Sequence, residues 1–284
     1  MSIPPKGWTD RLPMRIRAWG MRGTPAVVLL ALSLGGTDLP SVAPPDGVWV
    51  ITRTNIELLE SIDHDVTASY FDTPQTIALG GYGDAVIAQG WASLAAFEAD
   101  VEAELVADDV TMVMYDPEAW EHTPIAEQLD PVAAMTAFAA LARAEGYQVL
   151  MTPHPGLVAV HGAACTQRAG EAVPAAFVRC SLPAAAAANA DILDLQLQGL
   201  QQDPQRYRQW VAAAAEQARR ANPEVRVLAH LTTRLAPDAT VLYAAWRAVQ
   251  PIVDGSYMGV PGGARPWVAL GFLRMISVSD DRRR

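Results

Sequence analysis

From Val48 onward, short apolar runs rich in β-branched residues alternate with longer stretches whose apolar residues recur at helical spacing. The pattern predicts strands at residues 48–52, 66–71, 110–115, 147–151, 191–197, 225–231 and 255–260. It predicts helices over 56–62, 240–249, 267–276 and 91–106, the last with Leu94, Phe97, Val101 and Leu105 on one face. Two more helices open on an Asp N-cap followed by proline at the first helical position. Asp130-Pro131 starts one that runs to Gly146, and Asp203-Pro204 starts one that ends at Asn222-Pro223. Gly80, Gly81, Tyr82 and Gly83 read as a flexible turn and 157–174 as irregular. Residues 176–190 read as a short strand then a helix, or as a helix kinked at Pro183. Strands separated by helices imply a parallel sheet. With one doubtful member, 177–181 or 27–32, the strands reach the eight of a closed (β/α)8 TIM-type barrel. An open doubly wound sheet is the alternative, and no dinucleotide fingerprint supports it.

A barrel sorts the polar residues, because its active site lies at the carboxyl ends of the strands. The apolar run 110–115 stops abruptly at Asp116, Pro117 and Glu118, and two carboxylates at the mouth of a buried strand are costly to desolvate. Residues two apart on an extended chain project to the same side. Like charges there push one pKa upward, giving an acid and a base from one residue type. Glu127 is an alternative second carboxylate, and an Asx turn or helix cap is the structural alternative for each. Gln196 and Gln198 alternate with Leu195 and Leu197, so both amides face one side of their strand. They either orient a polyhydroxylated or amide-bearing ligand or form a structural network. His154, between Pro153 and Pro155, is a candidate base, metal ligand or ordinary loop histidine; His122 and His230 are weaker candidates. Trp120 and Tyr257 are either a sugar-stacking platform or core aromatics. Asp72, Thr152, Thr232 and Arg234 also stand at predicted strand ends. Asp116, Glu118 and His154 could share one divalent cation, but their spacing is not diagnostic and no metal site is assigned.

Composition narrows the partners. Hydrophobic residues make up 51% and charged residues 18% of the 284, ample for a real core. A net charge of −10 with a pI near 4.9 argues against nucleic acid or an anionic membrane. The glycines at 80–83 lack the Lys-Ser/Thr ending of a phosphate loop, and no G-x-S-x-G elbow occurs. No cofactor is expected; the expected partner is a small molecule or a carbohydrate. In residues 1–45, Arg11, Arg15, Arg17 and Arg22 precede an apolar run at 25–34 and the small residues Ser41-Val42-Ala43. This describes a disordered, signal-peptide-like segment, too short for a stable membrane span, and a secreted protein. If the run is instead a barrel strand, the chain is cytoplasmic. Cys165 and Cys180 form one disulfide in an exported chain and two buried thiols in a cytosolic one. The barrel domain is placed at 46–277 and a charged tail at 278–284.

Tyr115-Asp-Pro-Glu-Ala-Trp120, Thr123-Pro124, Glu127-Gln128 and Gln196-Leu-Gln198 resemble secreted barrel proteins of actinobacteria, broadly similar to glycoside hydrolases. The resemblance covers roughly 46–263. It implies the barrel and export and transfers no mechanism. The expectation is a secreted barrel hydrolase acting on a carbohydrate by carboxylate acid/base chemistry, with Asp116, Glu118 or Glu127 catalytic and Gln196, Gln198, His154, Trp120 and Tyr257 binding substrate. The alternatives are a barrel that binds a sugar or small metabolite without turnover, and a metal-dependent enzyme using His154.

Overall fold

The computed structural model describes residues 47–263 and 265–281. Among them, eight parallel strands join in chain order into a closed barrel. They are β1 (Val48–Thr52), β2 (Thr76–Leu79), β3 (Val86–Trp91), β4 (Met112–Tyr115), β5 (Gln148–Met151), β6 (Ile192–Leu195), β7 (Arg226–Thr232) and β8 (Gly255–Gly259). The (β/α)8 class holds. Helices α1 (Arg53–Glu60) and α2 (His64–Phe71) follow β1, and α3 (Leu94–Glu102) follows β3. Helices α4 (Ile125–Leu129) and α5 (Pro131–Ala144) follow β4, and α6 (Val173–Arg179) and α7 (Leu182–Ala188) follow β5. Single helices α8 (Pro204–Ala221), α9 (Ala239–Val249) and α10 (Pro266–Asp281) follow β6, β7 and β8.

Strand membership differs from the sequence pattern in one sector. Residues 66–71 are helix α2, not a strand: the Asp63 carboxylate accepts from the Val66 N–H, and this cap outweighs the β-branched composition. The true β2 and β3 flank the glycine turn. Leu79 pairs with Ala88 and Ile77 with Val86, so the chain steps back only two residues, about 7 Å, between neighbouring strands. That short return needs no crossover helix. It does need positive φ at Gly80, Gly81 and Gly83, and the Asp72 carboxylate fastens it by accepting from the Asp84 N–H at 2.7 Å. Asp72 therefore ends a helix, away from the strand carboxyl ends. Trp91 ends β3 rather than opening a helix. The doubtful strand 177–181 is helical, and 27–32 lies outside the described residues.

Alternation along the strands divides the interior. Val50, Ile77, Ala88, Met112, Met114, Leu150, Ile192 and Leu228 point inward and form an apolar plug. Their neighbours, such as Val113, Tyr115, Val149, Leu193 and Val227, face the helices in the larger core. Extending the inward series by two residues toward the carboxyl ends reaches Asp116, Thr152, Asp194 and His230, and two further along β6 reaches Gln196. The register that packs the plug also delivers a polar layer on top of it. Cys165 and Cys180 form a disulfide, with Cα atoms 5.7 Å apart, between the β5–α6 connection and the end of α6.

Candidate active site at the barrel mouth

The β4 loop builds itself before it builds a site. The Thr123 hydroxyl accepts from the Glu118 N–H at 3.1 Å and the Trp120 indole N–H at 3.0 Å, and donates to the Ala92 carbonyl at 2.7 Å. The Gln128 amide donates to the Trp120 and Thr123 carbonyls. Glu127 lies on the helix side of β4. It accepts from the Tyr115 hydroxyl at 2.7 Å, the Ser93 hydroxyl at 3.1 Å, and the Leu94 and Ala95 N–H groups at 2.9 and 3.3 Å. A carboxylate at the start of α3 with four donors is an anchor, favoured there by the helix dipole. Because Tyr115 faces outward and Asp116 inward, Glu127 is not brought to the mouth.

Asp116 sits at the top of the plug with protein around its carboxyl and only a narrow edge open to water. Its Oδ1 accepts from the Thr152 hydroxyl at 2.7 Å and the Gln196 amide at 2.6 Å. The same Gln196 nitrogen donates to the Thr152 carbonyl at 2.7 Å. No described residue donates to Oδ2. Burial pushes the Asp116 carboxyl up to about 7; the Thr152 hydroxyl and His230 oppose the rise, and Glu118 and Asp194 add to it. Gln198 reaches Gln196 with a long 3.5 Å contact, and its own carbonyl oxygen is buried without a partner. Asp116 and Gln196 therefore meet in one hydrogen-bonded network, which Gln198 touches at its edge.

Two histidines complete the mouth. The His154 N–H donates to the Pro117 carbonyl at 3.0 Å, tying the β4 and β5 loops together. Its ring Nδ1 accepts from the Gly156 N–H at 3.0 Å, so the neutral ring carries its proton on Nε2. Burial lowers its pKa and His230 lowers it further, against an opposing pull from Glu118. His230 was the weaker candidate in the sequence, yet it has the stronger support. Its Nδ1 lies 2.8 Å from Oδ2 of the fully buried Asp194, and its ring stacks on Tyr257 at 4.4 Å and 12°. An ionised carboxylate only accepts, so Nδ1 carries the proton and Nε2 offers a lone pair. Gly259 keeps the space beside that nitrogen open; a Cβ there comes within 3.3 Å. Asp194 lies inside an apolar strand, and its alternation with Gln196 and Gln198 is the signal in the sequence that marks it. Burial and the nearby Asp116 and Asp194 carboxylates raise the Tyr257 hydroxyl pKa, keeping it neutral. Trp120 is 40% exposed on the rim, edge-on to His122.

Among the described residues, no three His, Cys, Asp or Glu side chains form a metal-ligand set. The only lysine in the sequence is Lys6, so the barrel itself offers no amine for imine chemistry.

No protein-family model and no curated protein matches the chain. Solved structures share its barrel at low identity. Triosephosphate isomerase from Bartonella henselae is 9% identical, with a TM-score of 0.45 over 81% of this chain and 99% of that one. A Schiff base-forming fructose-1,6-bisphosphate aldolase is 12% identical, with a TM-score of 0.45 over 82% and 93%. The GH53 catalytic domain of Ignisphaera aggregans is 14% identical, with a TM-score of 0.30 over 52% and 56%.

Proposed function

We propose that the mouth is the active site of a hydrolase acting on a carbohydrate. The observation that carries this reading is the Asp116 carboxyl, set at the carboxyl end of β4 and raised to about 7. An acid with that value is close to half protonated at neutral pH, as a proton donor to a glycosidic oxygen must be. Glu118 supplies the second carboxylate, as nucleophile or as base toward water. Gln196, Gln198 and the His154 Nε2–H orient hydroxyl groups, and Trp120 on the rim and Tyr257 offer ring faces.

The experiment is a panel of 4-nitrophenyl glycosides assayed with the wild type, Asp116→Asn and Glu118→Gln. Turnover by the wild type that both variants lose while keeping the native circular dichroism supports the reading. Turnover unchanged in Glu118→Gln removes Glu118 from the mechanism. Binding of a sugar without product reassigns the mouth to a non-catalytic binding barrel.

The Asp194–His230 pair favours a second reading, in which His230 Nε2 takes the proton from the attacking water and Asp116 still protonates the leaving oxygen. Here Glu118→Gln stays active and His230→Asn does not. We also propose export of the protein. What supports it is the Cys165–Cys180 disulfide, a bond that persists in oxidising compartments.

A further inference from the structure

The open hydrogen-bonding positions at the mouth are unbalanced. Among the described residues, acceptors without a donor are Asp116 Oδ2, the Glu118 carboxylate, the buried Gln198 carbonyl oxygen and Oδ1 of Asp194. Asp194 is fully buried, stands two residues after the inward Ile192 on β6, and its Oδ1 has no hydrogen-bond partner among the described residues. Open donors are uncharged: the His154 Nε2–H, the Tyr257 hydroxyl, the Thr232 hydroxyl hydrogen and what remains of the Gln198 amide. Charge follows the same sign. Glu118 and Asp194 both act on Asp116, and no lysine or arginine is among the groups that shift it. Two arginines near the rim are committed elsewhere, and a third is exposed. Arg53 pairs with Glu57, Arg265 donates to the Ala236 carbonyl, and Arg234 is exposed. A carboxylate or phosphate ligand meets repulsion here, and a neutral sugar leaves Glu118 without a counter-charge.

We propose that the mouth takes an amino sugar, whose ammonium group donates to the open Glu118 carboxylate while its hydroxyls reach Gln198 and His154 and Asp116 stays free for the glycosidic oxygen. An ammonium carries three donors and no acceptor, the inverse of the mouth's surplus, and its bonds to carboxylates are charge-assisted. The inference rests on the carbohydrate reading above and names the class of sugar.

The test is calorimetric titration at pH 7 and low ionic strength with two matched series: glucosamine, glucose and glucuronate, and galactosamine, galactose and galacturonate. In at least one series the amine binds about tenfold or more tighter than its parent sugar, the ratio that one charge-assisted hydrogen bond supplies. The uronate gives no heat. Glu118→Gln, verified as folded by circular dichroism, brings the amine back to the parent's affinity. A parent sugar or uronate that binds as well as the amine in both series overturns the proposal. So does an amine preference untouched by Glu118→Gln, or the absence of heat from every sugar. Failure of hydrolysis is separate: amine selectivity without glycoside turnover leaves this inference standing and removes the hydrolase, and turnover without amine selectivity does the reverse.

Discussion

Replacing Asp116 by Asn should make the protein more stable at alkaline pH, although it removes the residue at the centre of the site. Asp116 has an ordinary carboxylate value of 3.8, and burial lifts it to about 7 in the folded chain. A raised acid contributes its full stability below pH 3.8. It loses that stability as the pH climbs through 7, because the unfolded chain ionises first and the folded one must then carry a desolvated charge. The span from 3.8 to about 7 corresponds to about 4 kcal/mol of lost stability above pH 7, an upper figure for a carboxyl with an edge in water. Asparagine keeps an Oδ1 that accepts from Thr152 and Gln196, so the two hydrogen bonds survive while the charge does not. Asp116→Asn should therefore exceed the parent by about 1 to 4 kcal/mol at pH 8, roughly 2 to 15 °C in melting temperature. The gain should shrink toward zero at pH 4. Urea unfolding or calorimetry of both proteins across pH 4 to 8 measures it. A variant equal to or weaker than the parent at pH 8, with an unchanged pH dependence, refutes the claim that burial has raised this carboxyl.

Glu127→Ala strands the Ser93, Leu94, Ala95 and Tyr115 donors and should cost about 3 kcal/mol in urea unfolding, whereas Glu118→Ala costs under about 1; equal losses contradict the division between anchor and site. Replacing Cys165 and Cys180 together by Ser opens a loop of separation 15 and should lower stability by about 3 kcal/mol, read as a melting shift that reductant reproduces on the parent alone. Gly255→Ala places a Cβ 2.0 Å from the Val48 carbonyl oxygen at the β8–β1 seam. A loss of about 3 kcal/mol or more is expected, and a soluble variant with parental stability argues against that register. Asp194→Ala removes the acceptor that fixes the His230 tautomer; nitrogen-15 shifts of His230 should move from a protonated Nδ1 to a mixture, and unchanged shifts deny the pairing.

The sequence by itself determined the class of fold and the places where chemistry could sit. Apolar runs spaced by amphipathic stretches, and Asp-Pro caps at 130–131 and 203–204, are local signals, and their physics is satisfied within one element. Alternation in the strands put Asp116 and Gln196 on inward positions, and the barrel turned that parity into a 2.6 Å contact between residues far apart in the chain. What the sequence could not decide depended on groups distant along the chain. Residues 66–71 are β-branched enough to read as a strand, but a cap at Asp63 and the packing of α2 against the barrel make them a helix. Glu118 and Glu127 look alike in the sequence. Only the opposite facings of Tyr115 and Asp116, together with the start of α3, make one a structural anchor and leave the other open at the mouth. Asp194 and His230 stand on neighbouring strands, and neither stands out alone. Their pairing exists because the β6–β7 register sets a buried carboxylate beside an imidazole, which is a property of the closed sheet.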